Sequence, residues 1–141
     1  MICTFFGHKD APSIIKEKLT QTIIDLIENK NVDKFYVGNQ GNYDRMVYLI
    51  LKELSVSYPI NFEIVLAYIP TANHEIHNEY SKYTSIPEGI ENVPKRFAIS
   101  YRNKWMVENS DFVITYVRHK TGGANKFKEM AERKHKMVIN I

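Results

Sequence analysis

Short unbroken apolar runs alternate along the chain with stretches whose apolar residues recur every three or four positions. Ile2-Cys3-Thr4-Phe5-Phe6 reads as a buried strand ended by Gly7. Pro12 suits the first turn of a helix, and Ile15, Leu19, Ile23, Leu26 and Ile27 follow at helical spacing. Phe35-Tyr36-Val37 predicts a second strand, stopped by Gly38. A helix is expected from about Tyr43, with Val47, Ile50, Leu51 and Leu54 on one face. Phe62 to Tyr68 predicts a third strand, closed by Pro70. The rhythm resumes with a helix from about Arg96 to Asn109 and a strand from Phe112 to Val117. A last helix opens at Gly122-Gly123 with Phe127, Met130 and Ala131 inward, and Met137-Val138-Ile139 makes a fifth strand.

Strands that alternate with helices predict a mainly parallel sheet covered on both faces. Unbroken apolar runs, rather than in–out alternation, agree with that. The expected fold is α/β: a Rossmann-like three-layer domain over residues 1–141, with five strands and helices on both faces. Residues 70–94 interrupt it with three prolines, one glycine and little periodicity. Long irregular segments in compact domains are commonly functional or disordered. This one reads as a lid whose Tyr80, Tyr83 and Ile86 could cover a base or ribose beside the strand ends.

Open parallel sheets bind ligands outside the carboxyl ends of their strands. There the first strand runs into Gly7-His8-Lys9-Asp10, the second into Gly38-Asn39-Gln40-Gly41, and the fourth into Arg118-His119-Lys120-Thr121-Gly122-Gly123. The connections at the opposite edge (Glu28 to Asp33, Val56 to Asn61, Arg133 to Lys136) carry ordinary surface residues. Glycines let backbone N–H groups approach an anion, and the start of the next helix adds a favourable dipole. Two such loops on one edge point to phosphate, with charge available from Lys9, Arg45, Lys120 and Lys126. Asp44 or Asn39 could bond a ribose, and His8 and His119 are placed to touch a nucleotide. Neither GxxxxGK[ST] nor GxGxxG occurs, which disfavours a conventional ATPase or NAD dehydrogenase.

Composition narrows this only slightly. A hydrophobic share of 44% and a net charge of +3 are those of an ordinary globular domain. That charge, evenly spread, disfavours nucleic acid as a partner. The single cysteine, Cys3, lies in the first apolar run and suits a core position in a reducing cytosol. The N-terminus has no basic leader and no run approaches a membrane span, so a cytoplasmic location without membrane contact is expected. His74 and His77 stand three apart in HEIH, but without a third ligand no metal site is expected.

Taken together, TFFGHKD, YVGNQGNYDRMV, RFAISYRNKWM, SDFVITYV and TGGANKFKEMAERK resemble the SLOG superfamily, in particular its small stand-alone bacterial members. That superfamily includes the LOG-type nucleoside-monophosphate phosphoribohydrolases, and the DNA-processing protein A family shares its fold. The resemblance implies that Arg102, Gly122, Gly123 and Glu129 occupy the positions of the enzymes' helix arginine, paired glycines and glutamate. Thr121, Asn125 and Lys126 depart from the PGGxGTxxE pattern at its Pro, third Gly and Thr. It also implies a homodimer, and a role in defence or signalling through NAD-derived nucleotides.

Two readings follow. In the first, a nucleotide or nucleotide-derived ligand, such as an ADP-ribose-like molecule, binds at the strand ends without turnover. Its binding residues would be Gly7, His8, Lys9, Gly38, Asn39, Gln40, Gly41, Asp44, Arg45, His119, Thr121, Gly122, Gly123 and Lys126. In the second, the protein hydrolyses an N-glycosidic bond. Glu129 would stabilise the ribosyl cation or activate water, and Arg102 would clamp the phosphate. Neither reading calls for a cofactor. Single-stranded DNA binding ranks third.

Overall fold

The computed structural model describes residues 1–69 and 82–141. Six parallel strands form its sheet: β1 (Ile2–Gly7), β2 (Lys34–Val37), β3 (Asn61–Val65), β4 (Thr84–Ser85), β5 (Phe112–Tyr116) and β6 (Met137–Asn140). Their spatial order is β4-β3-β2-β1-β5-β6. The chain thus steps outward from β1 in one direction and returns to its other side with β5. Four α-helices accompany the sheet among the described residues: α1 (Lys16–Asn29), α2 (Gly41–Leu54), α3 (Ala98–Glu108) and α4 (Gly123–Arg133).

The unbroken apolar strands have the cause the sequence suggests. Cys3, Phe5, Phe35, Ile64 and Ile114 point to the side of α1 and α2, and pack with Leu19, Ile23, Val47 and Ile50. The intervening residues Phe6, Tyr36, Val65 and Val113 point to the side of α3 and α4, and pack with Met106, Val107, Phe127 and Ala131. Phe5 stacks on Phe35 of the adjacent strand at 6.0 Å, and Phe6 stacks on Phe127 of α4 at 5.5 Å, joining sheet to helix. Cys3 is fully buried, and burial pushes its thiol well above the ordinary range. It is a core residue.

The expected five strands become six. β4 pairs only Ile64 with Thr84 and Val65 with Ser85, while the Leu66 N–H donates to the Ser85 carbonyl at 2.8 Å. Two residues carry no periodicity, so such a strand leaves no mark in a hydrophobic pattern. It also shortens the irregular segment. Within 82–94, Tyr83 stacks on Phe62 at 4.5 Å. Ile90 is buried against Ala67 and Ala98, where a short 3-10 turn (Ile90–Asn92) follows Gly89 at φ +84°. Phe62 begins near the amino end of β3, so Tyr83 faces the sheet margin away from the strand ends. Ile86 is exposed. The rest of the expected lid, including Tyr80, and the His74–His77 pair lie outside the described residues. No helix among the described residues is long and apolar enough to cross a membrane.

Candidate functional site

β1 and β5 are neighbours in the sheet, but the chain leaves them toward opposite faces, to α1 and to α4. This is the switch point of a doubly wound sheet, and it opens a crevice. A cleft of about 370 Å³ lies there. Its polar wall comes from His8, Lys9, Gln40, Asp44, Arg102 and Asn103; Gly7, Gly123 and Ala124 contribute backbone, and Phe5, Phe6, Ile99 and Met106 form its apolar floor.

Arg102 is the largest fully buried side chain, 2% exposed. Its Nη1 donates to the Val65 carbonyl at 2.9 Å and to Asn39 Oδ1 at 3.0 Å, and its Nε to Asn103 Oδ1 at 2.8 Å. A buried guanidinium is tolerated only when its donors find acceptors. Here β3 and the loop after β2 supply them. The same cation stands near Asp44, whose carboxyl is part-buried and accepts the Gln40 N–H at 2.9 Å. Burial pushes the Asp44 carboxyl up to about 6, against the opposing pull of the Gln40 N–H and the Arg102 charge.

The two glycine loops differ in kind. At Gly38 an added Cβ would stand 2.7 Å from Asp44 Oδ2. At Gly41 (φ +84°) it would stand 2.7 Å from Lys9 Cα. The Asn42 N–H at the start of α2 donates to the Lys9 carbonyl at 2.8 Å. The close approach that glycine allows after β2 is therefore taken up by the protein's own Lys9 loop and by Asp44. Gly7 likewise makes room for the ring of Tyr43, whose hydroxyl donates to the Ile114 carbonyl at 2.9 Å. At Gly122 and Gly123, by contrast, an added Cβ would meet nothing within 4 Å. Gly122 holds φ +95° and ψ 173°, a conformation open essentially to glycine alone. Among the described residues, the N–H groups of Gly123 and Ala124 find no protein acceptor.

His8 ties the first and fifth strand ends together. Its Nε2 accepts the Arg118 N–H at 2.8 Å, and its ring lies 4.7 Å from that of His119. Burial lowers the His8 pKa, the neighbouring His119 and Arg118 lower it further, and Asp10 opposes them. A neutral imidazole is what the Arg118 hydrogen bond requires.

Of the residues singled out in the sequence, the cleft brings together Gly7, His8, Lys9, Gln40, Asp44, Arg102 and Gly123. Gly38, Asn39, Gly41 and Arg45 line a second cavity of about 300 Å³, which shares Asp44 with the first. His119, Thr121, Lys126 and Glu129 are exposed and outside the cleft. Glu129 Oε1 accepts from Asn125 Nδ2 at 3.1 Å, and the same amide group donates to the Lys120 carbonyl at 2.9 Å. Arg102 and Glu129 thus do not line one pocket. Asn103 was not singled out, and Tyr43 and Asn125 were named only as a helix start and as a departure from the family pattern. Tyr43 falls four residues before Val47 on the predicted apolar face and could have been found; the two amides carry no spacing signal.

No family model matches the chain. No curated protein matches it either. Among solved structures it is similar to DNA processing protein A from Helicobacter pylori, described for a unique single-stranded DNA binding mode, with a TM-score of 0.64 and 17% identity. The alignment covers 98% of this chain and 63% of that protein, so the chain spans less than two thirds of its length. The likeness establishes the fold. It also overturns the expectation that nucleic acid is disfavoured as a partner. The same fold is found in a protein described for binding single-stranded DNA, so a net charge of +3 gives no ground for setting nucleic acid aside.

Proposed function

We propose that the protein binds a nucleotide-type ligand in the cleft between the ends of β1 and β5. The observation that carries this is the open N-terminus of α4, where Gly123 and Ala124 line the cleft with His8, Lys9 and Arg102, and an added Cβ at Gly122 or Gly123 would meet nothing within 4 Å. An anionic group there would gain N–H donors and the helix dipole, with Lys9 adding a mobile charge. Asn103 and Gln40 offer neutral groups for a sugar or base, and Ile99 and Met106 an apolar floor. Whether the ligand is ADP-ribose-like or a plain nucleotide is a matter for titration. Calorimetry with nucleoside mono- and diphosphates and ADP-ribose tests the reading. Binding that weakens on Lys9→Ala supports it, and no binding at millimolar ligand to folded protein overturns it.

A second reading is that the nucleotide belongs to a single strand of DNA. The likeness in fold to the Helicobacter protein favours it. Hydrolysis of an N-glycosidic bond is less well supported, because Glu129 is exposed and engaged with Asn125 outside the cleft that Arg102 lines.

A further inference from the structure

α3 has a second working side. Ile99, Arg102 and Asn103 line the cleft, whereas Tyr101 and Lys104, with Phe97 of the 3-10 turn (Lys95–Phe97) just before the helix, line a separate groove of about 270 Å³ between α3 and α4. α4 is divided the same way, with Gly123 and Ala124 at the cleft and Lys126 and Met130 at the groove. The paired helices are therefore a ridge between two depressions. The groove walls are apolar and its rim is cationic. Phe97 is 51% exposed and has the Arg96 guanidinium 4.8 Å from its ring centre. Lys126 Nζ lies 5.4 Å from the ring of Phe127, and Lys104 Nζ faces Glu108 at 3.7 Å.

We propose that the ligand is longer than one nucleotide: a segment of single-stranded DNA that crosses this ridge, with one nucleotide in the cleft and a following base against Phe97. This rests on the nucleotide reading of the cleft and names its ligand class. An unstacked base needs a flat apolar surface, and the phosphates on either side need point charges. Exposed aromatics beside Lys and Arg supply both without reading sequence. A duplex, with its bases stacked and paired, would leave the slot empty. A neutral apolar peptide would leave the cations of Arg96 and Lys126 without a counterpart, so the charges favour the polyanion.

The experiment is fluorescence anisotropy with thymidine monophosphate as competitor and a labelled twelve-nucleotide oligothymidine as probe. The oligomer is expected to bind at least about tenfold tighter than the monomer. Phe97→Ala should weaken the oligomer roughly five- to a hundredfold and leave the monomer within about twofold. Lys126→Glu should weaken the oligomer and make its binding less salt-dependent. If both variants bind the oligomer as the parent does, the groove inference is overturned while monomer binding upholds the cleft. If neither monomer nor oligomer binds folded protein, the cleft reading fails as well. Oligomer binding that responds to Lys9→Ala and to neither groove variant assigns the strand to the cleft alone and overturns the proposal.

Discussion

Arg102 on α3 and Asn39 beyond β2 are 63 residues apart in sequence and joined by a 3.0 Å hydrogen bond from Nη1 to Oδ1. The same nitrogen holds the Val65 carbonyl at the end of β3. One buried cation thus fixes the positions of two strand ends and of a helix relative to the cleft. Replacing Arg102 by Met removes those donors and leaves the buried Val65 carbonyl without its side-chain partner. We expect a loss of roughly 2–4 kcal/mol in denaturant unfolding. Arg102→Lys, which keeps the charge but loses the fork, should recover only part of it.

The two glycine loops should respond to alanine to different degrees. Gly41→Ala combines a left-handed φ with a Cβ 2.7 Å from backbone that cannot move aside, and should cost about 2–4 kcal/mol. Gly122→Ala meets open space and carries only the conformational strain, about 1–2 kcal/mol. Gly123 opens α4 with ordinary backbone and free space, so Gly123→Ala should leave stability unchanged or raise it by a few tenths of a kcal/mol. Thermal unfolding of the three variants side by side gives the order. A Gly41→Ala variant as stable as Gly123→Ala would refute the packing argument.

Glu129→Gln keeps the oxygen that accepts from Asn125, on an exposed turn of α4. Stability should stay within about 0.5 kcal/mol, and nucleotide affinity should not change. Release of free base from a nucleoside monophosphate, abolished by this substitution, would bring the hydrolytic reading back.

This contrast between loops also marks how far the sequence could be read. The layers were legible because Phe5 and Phe6, on opposite faces, must both be covered, and only helices on both sides do that. The edge of the sheet that carries the cleft was legible from Gly7, Gly38 and Gly122, which all follow strands. What each glycine makes room for was not. Gly38 and Gly41 accommodate Asp44 and Lys9, contacts set by the packing of one loop on another. The groove under Phe97 escaped notice for a similar reason. It depends on the angle at which α3 meets α4, which periodicity along either helix leaves undetermined. Arg102 stood out in SYRNKWM by resemblance alone; nothing in its spacing shows that it is buried.

Asp44 sets the expected response to pH. Its carboxyl is raised from an ordinary 3.8 to about 6, so between those values the folded protein holds a proton that the unfolded chain has released. The associated stability is full below about 4 and is lost as pH rises through 6, on the order of 3 kcal/mol at most. His8 acts the other way. Its lowered pKa means that acid below about 6.5 must charge an imidazole that accepts the Arg118 N–H, and stability falls as pH falls. The two slopes overlap, so the parent protein alone does not separate them. Asp44→Asn does. Asn Oδ1 can still accept the Gln40 N–H, and the site no longer titrates. The difference in unfolding free energy between parent and variant should therefore grow in the variant's favour from pH 4 to pH 7. An anion in the cleft should follow the same curve: the parent should bind it more tightly below pH 6, where Asp44 is neutral, and Asp44→Asn should flatten that dependence. Parent and variant curves that run parallel across this range would show that Asp44 titrates like an ordinary surface carboxylate.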